Sequence, residues 1–515
     1  MEVSIGWDGW IRFGEWNPVT VQVAVDRGVR GWLVVEIPQE FGAQRVRLRF
    51  PVDLPDGGRS TWRVAALLSD PRRPVRVSLA AEDGSELVSA HATPLPEGAA
   101  ASVVGYLGRD PPAPPLEVAS GGRRAVVRLR EELLPDSAAA YASLDLLVVE
   151  ELDERKLNAA QRRALQTWVL HGGRVVVSGW LPPGNPVSDW LAVARYVGPI
   201  SYVSGLASVA PGPVWAMEPL VGSQAVVERS RVVAVWAQRG LGRVFAWATD
   251  VQRVPPTSPL WYLALPAAGA REVPSELEVR PRPPLGPAAA GLGAYAVVWL
   301  FAVALAGRSR WGWVAVALVV AAAAAGMPVV AEQVRQRAAV LESEWLQVVV
   351  DGVPRAYAWG HAWAPYPGDY TYTLPASAAV ALSGGLSEAD VTFLQDRVLV
   401  RAHHRAGERM RLVWEAQEAP VDWPEVVATG GEVHLRGSVA PDGVVFWGRR
   451  QASVEKSAEG WVASQWEAAG GRHPALSSLR WVYPEPATIV EDRPVAAFPM
   501  GDGRRGWVVV VGQAR

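Results

Sequence analysis

The 515-residue chain contains no cysteine. That excludes disulfides, thiolate-bound zinc, iron–sulfur clusters and any cysteine nucleophile, and it is compatible with either side of a membrane. Lysine is nearly absent as well: Lys156 and Lys456 are the only two among 50 basic residues. The formal net charge is −2, and no Lys/Arg run is dense enough to hold a polyanion, so nucleic acid is not an expected partner. Cofactor motifs are missing too. There is no phosphate loop, no kinase set and no His-Glu-x-x-His, and Gly240-Leu241-Gly242 is not followed by the helical pattern of a dinucleotide fingerprint. His91, His361, His434 and His473 show no metal-ligand spacing, while the adjacent His403 and His404 point to opposite faces of a strand. No cofactor and no metal are expected.

Tryptophan is abundant, at 25 residues, and half the chain is hydrophobic. So many large amphipathic rings serve either core packing in β-domains or a carbohydrate-stacking surface. The mean hydropathy of +0.08 is high for a soluble protein and directs attention to local apolar runs. Two stand out, Pro283 to Gly307 and Trp311 to Ala331, each without a charged residue. About 20 apolar residues suffice to cross a hydrocarbon core, so residues 283–331 read as a transmembrane helical hairpin with the lipid bilayer as partner. Arg308 and Arg310 in its "GRSR" turn favour a cytoplasmic turn. The localisation expected is then a multi-pass cell-membrane protein with extracytoplasmic large domains. "MEVSIGWDGW" carries neither a basic n-region nor an apolar h-region, so export would require a signal peptide upstream of Met1.

The remaining chain divides by rhythm. Residues 1–97 hold short Val-, Leu- and Trp-rich runs such as "PVTVQVAVD" and "RVRLRFPVDL", punctuated by Gly, Pro and Asp, as in an antiparallel sandwich. Over 100–268, "ASVVGYLG", "LDLLVVEEL" and "RVVVSGW" read as strands. Between the last two, "NAAQRRALQTWVLHGG" reads as an amphipathic helix with Asn158 as N-cap and Gly172 as stop. That alternation implies a parallel sheet covered by helices on both faces, closed by the hairpin "RVVAVWAQRGLGRVFAWATD". Residues 340–515 return to β, with one short helix expected at "LSEADVTFLQD" behind an N-cap at Ser387. The fold class is thus multidomain α/β plus β: a β-sandwich, a flavodoxin-like parallel-sheet α/β domain, a transmembrane hairpin and a β-rich C-terminal domain.

The stretch Leu144 to Trp180 resembles the class I glutamine amidotransferase-like domain of bacterial membrane proteins. Gln161, Ala164, Leu165, Trp168, Val169, Gly172 and Gly173 carry the likeness, and "GWDGWIRFGEWNPVTVQVAV" is similar to the Ig-like sandwich that often precedes that domain. The family's working members use a Cys on a sharp turn, backed by His and Glu. This chain lacks the Cys, so the resemblance implies a degenerate domain without catalysis. Ser178 has no Gly-x-Ser-x-Gly elbow around it, and His171 precedes the strand that Ser178 ends.

Glu150, Glu151, Asp153 and Glu154 cluster where a strand ends, a place at which α/β folds bind ligands and where acids also favour a helix start. Three functions remain open. One is a non-catalytic, membrane-anchored envelope protein acting in binding or assembly with membrane or envelope protein partners. A second is a hydrolase using Glu150 and Glu151, and the third is a glycan-binding protein using exposed Trp.

Overall fold

The computed structural model describes residues 1–514 with internal exceptions, the longest being 115–122, 179–189, 267–295, most of 298–339, and 480–492. The N-terminal strands are β1 (Glu2–Ile5), β2 (Trp16–Ala24), β3 (Val29–Pro38), β4 (Arg45–Leu54), β5 (Arg59–Leu67), β6 (Val75–Ala81) and β7 (Glu86–Ala92). They form two layers, with β1-β2-β5 facing a sheet that contains β4-β3-β6-β7. Alternation sets the faces. In β4, Val46, Leu48, Val52 and Leu54 are buried, while Arg45 and Asp53 point to solvent.

The second segment opens with β8 (Ser102–Leu107), β9 (Arg124–Arg128) and β10 (Leu146–Val149), followed by helix α1 (Ala159–Leu170) and β11 (Arg174–Ser178). Two short ribbons come next, pairing β12 (Ala194–Tyr196) with β15 (Met217–Pro219) and β13 (Ser201–Val203) with β14 (Gly212–Val214). The antiparallel run β16 (Gln224–Glu228), β17 (Arg231–Arg239) and β18 (Gly242–Trp247), then helix α2 (Pro259–Ala264), complete it. The sheet order is β16-β17-β18-β11-β10-β8-β9, parallel from β18 to β9. Helix α1 has a reciprocal cap: Asn158 Oδ1 accepts the Gln161 N–H, and Gln161 Oε1 accepts the Asn158 N–H, both at 2.9 Å. Its buried face, Ala164, Leu165, Trp168 and Val169, packs on this sheet.

The C-terminal segment contains β19 (Val340–Val350), β20 (Val353–Trp363), β21 (Gly368–Pro375), β22 (Ser377–Gly384), β23 (Glu388–Phe393), β24 (Arg397–His404) and β25 (Arg409–Ala416). Beyond these lie β26 (Glu425–Thr429), β27 (Glu432–Arg436), β28 (Val444–Trp447), β29 (Arg450–Ser453), β30 (Glu455–Ser457), β31 (Gly460–Ala463), β32 (Glu467–Ala468), helix α3 (Pro474–Leu479), β33 (Val495–Pro499), β34 (Arg505–Val511) and β35 (Gln513–Ala514). Nine of these strands make one sheet, β22-β25-β20-β19-β34-β33-β28-β29-β32. The β19–β20 hairpin turns through Asp351 and Gly352, both at positive φ (48° and 78°), as a tight two-residue hairpin loop requires.

The segments do not fold side by side as separate sandwiches. Strand β23 pairs in parallel with β4, from Glu388↔Arg45 to Thr392↔Arg49, so that one seven-stranded sheet runs β21-β24-β23-β4-β3-β6-β7. Its core is shared as well: Val21, Leu33 and Leu48 lie in one cluster with Trp345, Val391, Leu412 and Trp414. The short 3-10 turn Ala138–Tyr141 of the second segment wedges into the same region. Ala139 and Ala140 pack against Ala65 and Ala379, and Tyr141 stacks on Trp168 at 5.4 Å and meets Trp7 at a tilt at 5.8 Å.

Several expectations need correction. The molecule is predominantly β, and a flavodoxin-like α/β domain does not form over 100–268. Among the described residues, only "AAQRRALQTWVL" makes a helix longer than six residues. The "LSEADVTFLQD" helix is also wrong, because Glu388–Phe393 is strand β23. Its Ala389 and Val391 alternate into the core between β4 and β24, and tertiary pairing overrides the local helix signal.

The transmembrane hairpin and the multi-pass membrane localisation are not supported, since no helix of the described residues is long and apolar enough to cross a membrane. An uncharged run is a statement about composition, whereas spanning needs an unbroken helix of about 20 residues. Pro283 to Gly307 and Trp311 to Ala331 lie outside the described residues, except for nine exposed helical positions including Val297, Trp299 and Leu300.

The shared sheet makes a direct prediction. Val391→Pro removes a ladder hydrogen bond of β23, the strand that pairs with β4 on one side and β24 on the other, and leaves a buried carbonyl unpaired, at a cost of about 1–3 kcal/mol. Hydrogen exchange should then accelerate in β3–β4 and in β23–β24 together. Acceleration confined to residues 368–404 would show that the seam does not couple the two.

Candidate functional site

Strands β9, β8, β10, β11 and β18 are parallel, so their carboxyl ends form one rim. From β8 the chain leaves to β9 on one side and then returns to β10 on the other. The connections after β8 and β10 therefore run in opposite directions along the sheet. Tyr106 is the next-to-last residue of β8 and Glu150 immediately follows β10, with the Glu150 N–H donating to the Leu107 carbonyl at 2.9 Å. The Tyr106 ring is fully buried and its hydroxyl donates to Glu150 Oε2. Gln252, on the 3-10 turn Val251–Arg253 after β18, donates from Nε2 to Tyr106 Oη at 3.1 Å, to Glu150 Oε1 at 3.1 Å and to Oε2 at 3.2 Å. Gly108 closes over the group. A Cβ there would run into Tyr106 Oη and lie 2.7 Å from Glu150 Oε2.

Farther along the rim, the buried Ser178 donates from Oγ to the Thr249 carbonyl at 3.2 Å. Arg253 reaches Thr249 Oγ1 at 2.7 Å and also the carbonyls of Pro213 and Ala210. His171 is at the other end of β11, a five-residue strand on the order of 16 Å long at ~3.3 Å per residue. The structure therefore does not bring Ser178 and His171 together.

His171 sits at a junction between segments. It is buried at the end of α1, and its Nε2 donates to the Val353 carbonyl at 3.2 Å. Burial, reinforced by the nearby Arg355 guanidinium, pushes its pKa down to about 3. Arg355 makes a buried two-pronged pair with Glu415, at 2.7 and 3.0 Å. At the adjoining hairpin tips, Arg493 donates to the Gly240 carbonyl at 2.9 Å and pairs with Asp351 at 3.2 Å. A third junction joins the N-terminal layer to the parallel sheet. Arg12 pairs with Asp145 at 2.5 Å, and Trp7 Nε1 donates to Ser143 Oγ at 2.9 Å.

Of the sequence-selected acids, Glu150 meets Tyr106 and Gln252 at the strand ends, whereas Glu151 and Asp153 lie outside the described residues. Tyr106 and Gln252 were not singled out. A lone tyrosine inside the apolar run "SVVGYLG" was a usable signal, because a buried hydroxyl needs a partner; nothing local marks Gln252. His403 is exposed and faces Asp369 at 2.8 Å, while His404 is buried against Tyr372. Among the described residues no group of three or more His, Asp or Glu is placed to hold a metal. Of the tryptophans with described burial, Trp299 alone is exposed.

A family model described as "Domain of unknown function (DUF8726)" matches residues 1–95. No curated protein matches the chain. The likeness to solved structures is slight. Exo-beta-1,4-mannosidase Op5Man5 from Opitutaceae bacterium strain TAV5 is 14% identical over 32% of this chain and 36% of its own, with a TM-score of 0.22. Cytoplasmic Protein STM1381 from Salmonella typhimurium LT2 is 13% identical over 29% of this chain and 88% of its own, with a TM-score of 0.20. Beta-galactosidase from Bacillus circulans sp. alkalophilus is 7% identical over 61% of this chain and 42% of its own, with a TM-score of 0.21. The chain thus spans about a third of the mannosidase. The matched family model carries no amidotransferase description, and with a mostly β fold that resemblance is withdrawn. The Gln161-to-Gly173 pattern is what any capped helix entering a buried strand needs.

The His171 junction is open to two measurements. Glu415→Gln leaves the buried Arg355 without its counter-charge and should cost about 3–5 kcal/mol in denaturant unfolding. The histidine binds a proton more readily unfolded than folded, so the stability owed to its neutral form is complete above pH ~6.5. It declines as pH falls from there towards 3. His171→Gln should flatten the stability slope between pH 7 and 5, where carboxylates contribute little; an unchanged slope would mean that His171 is not the titrating group.

Proposed function

We propose that this chain works by binding, as an assembly protein whose polar chemistry serves its own architecture. One observation carries the reading: buried or half-buried charged groups and His171 join segments far apart in sequence. Arg12–Asp145, Arg355–Glu415 and His171–Val353 all lie at such seams or inside the strands that form them. The distance between Ser178 and His171 supports the absence of a serine–histidine couple. Glycan recognition by exposed tryptophan has less support, since among the tryptophans with described burial only Trp299 is exposed.

A hydrolase centred on Glu150 is the second reading, favoured by the position of that carboxylate on the rim of the parallel strands. Purified protein, presented with ester, phosphoester and glycoside substrates, should show no turnover beyond that of a Glu150→Gln control. In a strain lacking the gene, Ser178→Ala should restore the wild-type phenotype fully. Turnover that Glu150→Gln abolishes in a folded protein would establish the hydrolase instead, and failure of a folded Ser178→Ala to complement would reopen catalysis at Ser178.

A further inference from the structure

The three-stranded layer β1-β2-β5 carries an open cleft of about 690 Å³, whose lining includes Glu2, Gln22, Ala24, Arg59, Thr61 and Arg63. Its chemistry goes beyond the assembly reading and does not rest on it. We propose that this cleft binds a compact multivalent oxyanion, bearing phosphoryl or carboxylate groups, with Arg59 and Arg63 as the cationic pair. Three observations lead there.

The first is register. Val21, Val23 and Val64 point into the shared core, so the alternate residues Gln22, Ala24, Arg59, Thr61 and Arg63 stand on the opposite face of the layer. Gln22 lies across from Glu2 on one side and Thr61 on the other, and Ala24 lies across from Arg59. Along β5 a guanidinium therefore stands on either side of a hydroxyl, with an amide beside it. The methyl group of Ala24 leaves room where its neighbours carry long side chains.

The second is the state of Arg63. Its side chain is only 13% exposed. One Nη2 hydrogen goes to the Glu132 carbonyl at 2.5 Å, the Nε hydrogen is buried without a partner, and the ion pair to Asp136 is stretched to 4.0 Å. A neutral carbonyl holds the fork in place without neutralising it. Burial also raises the pKa of Asp136 and so weakens the countercharge. The result is a fixed guanidinium whose charge is incompletely compensated, and a group already in place loses little entropy when it binds. Arg59 is exposed and has no ion pair among the described residues, so it is free to close on a ligand from the other side. Arginine forks match phosphate and carboxylate oxygens two at a time.

The third is a limit on size. Glu2 stands on β1, two strands from β5, on the order of 10 Å away at ~4.8 Å per strand. Its carboxylate confines negative charge to the β5 side, which favours a compact anion over an extended one.

Isothermal titration of the full-length protein at constant ionic strength tests this. Pyrophosphate and citrate are the probes, and they separate phosphoryl from carboxylate ligands. At least one should bind saturably, one per chain. Arg59→Gln should weaken that binding about tenfold, the loss of roughly one charge-assisted contact. Arg63→Lys, which keeps the charge and loses the fork, should weaken it as well. Glu2→Gln should tighten it, because a repelling carboxylate is gone. Arg231→Gln, at an exposed arginine of β17 outside the cleft, should leave it unchanged. Thermal melts identify the folded variants, and the exposed positions Arg59 and Glu2 decide alone should Arg63→Lys not fold. The proposal is overturned by the absence of saturable binding, by binding that Arg59→Gln leaves unchanged or Glu2→Gln weakens, or by an equal loss in Arg231→Gln. The substrate panel and the complementation assay read the assembly proposal separately, so either can fail without the other.

Discussion

The pairing of β23 with β4 is the constraint on which the rest depends. A sandwich layer ending in an unpaired strand leaves a row of backbone donors and acceptors open. Here the N-terminal layer obtains its next strand from residues 388–392, roughly 340 positions away. Once that seam closes, β3, β4, β23 and β24 share one twist and one core, and Leu48 and Val391 become neighbours in a single apolar layer. The charges on the outer face follow the same register. Arg47 reaches Asp390 at 2.6 Å and Glu388 at 3.0 Å, and the stacked rings of Phe50 and Phe393 sit at the end of the joint, 4.6 Å apart.

The parallel sheet is held into that frame by different physics. Alanines rather than large side chains form the wedge at Ala138–Tyr141, allowing the backbone of the second segment to come close to β5 and β22. Around it, polar groups are buried in pairs. A buried pair such as Arg355–Glu415 adds little net stability compared with a well-packed apolar pair, but it is costly to break and tolerant of one geometry only. Its contribution is therefore to the register of β25 against β20, the strand whose Val353 carbonyl meets His171.

How far the sequence disclosed this depended on the range of each interaction. The helix at 159–170 was legible because its cap, its apolar spacing and its glycine stop are all local. The N-terminal strands were legible from alternation and turn residues. "LSEADVTF" was misread because its serine and acids resemble a helix start, while the partners that make it a strand, Arg45–Arg49 and Arg397–His404, are remote. The apolar stretch 283–331 invited a membrane reading from composition alone. At the strand ends, Glu150 was visible as part of an acidic run. Tyr106 and Gln252 join it only through the crossing of β8, β10 and the turn after β18, a juxtaposition that no spacing in the chain encodes.

The long separation across the β4–β23 seam has a consequence during synthesis. At about 5–20 residues per second, residues 45–49 leave the ribosome on the order of half a minute before residues 388–392 exist. Throughout that interval β4 is a bare edge on a nascent chain, open to any other extended polypeptide. Arg45, Arg47 and Arg49 line the outward side of that edge. Three like charges on alternate positions repel a second copy of the same strand on a neighbouring nascent chain. They also match Glu388 and Asp390 when these finally emerge. The same arginines thus act first as a guard against the wrong partner and later as the means of recognising the right one.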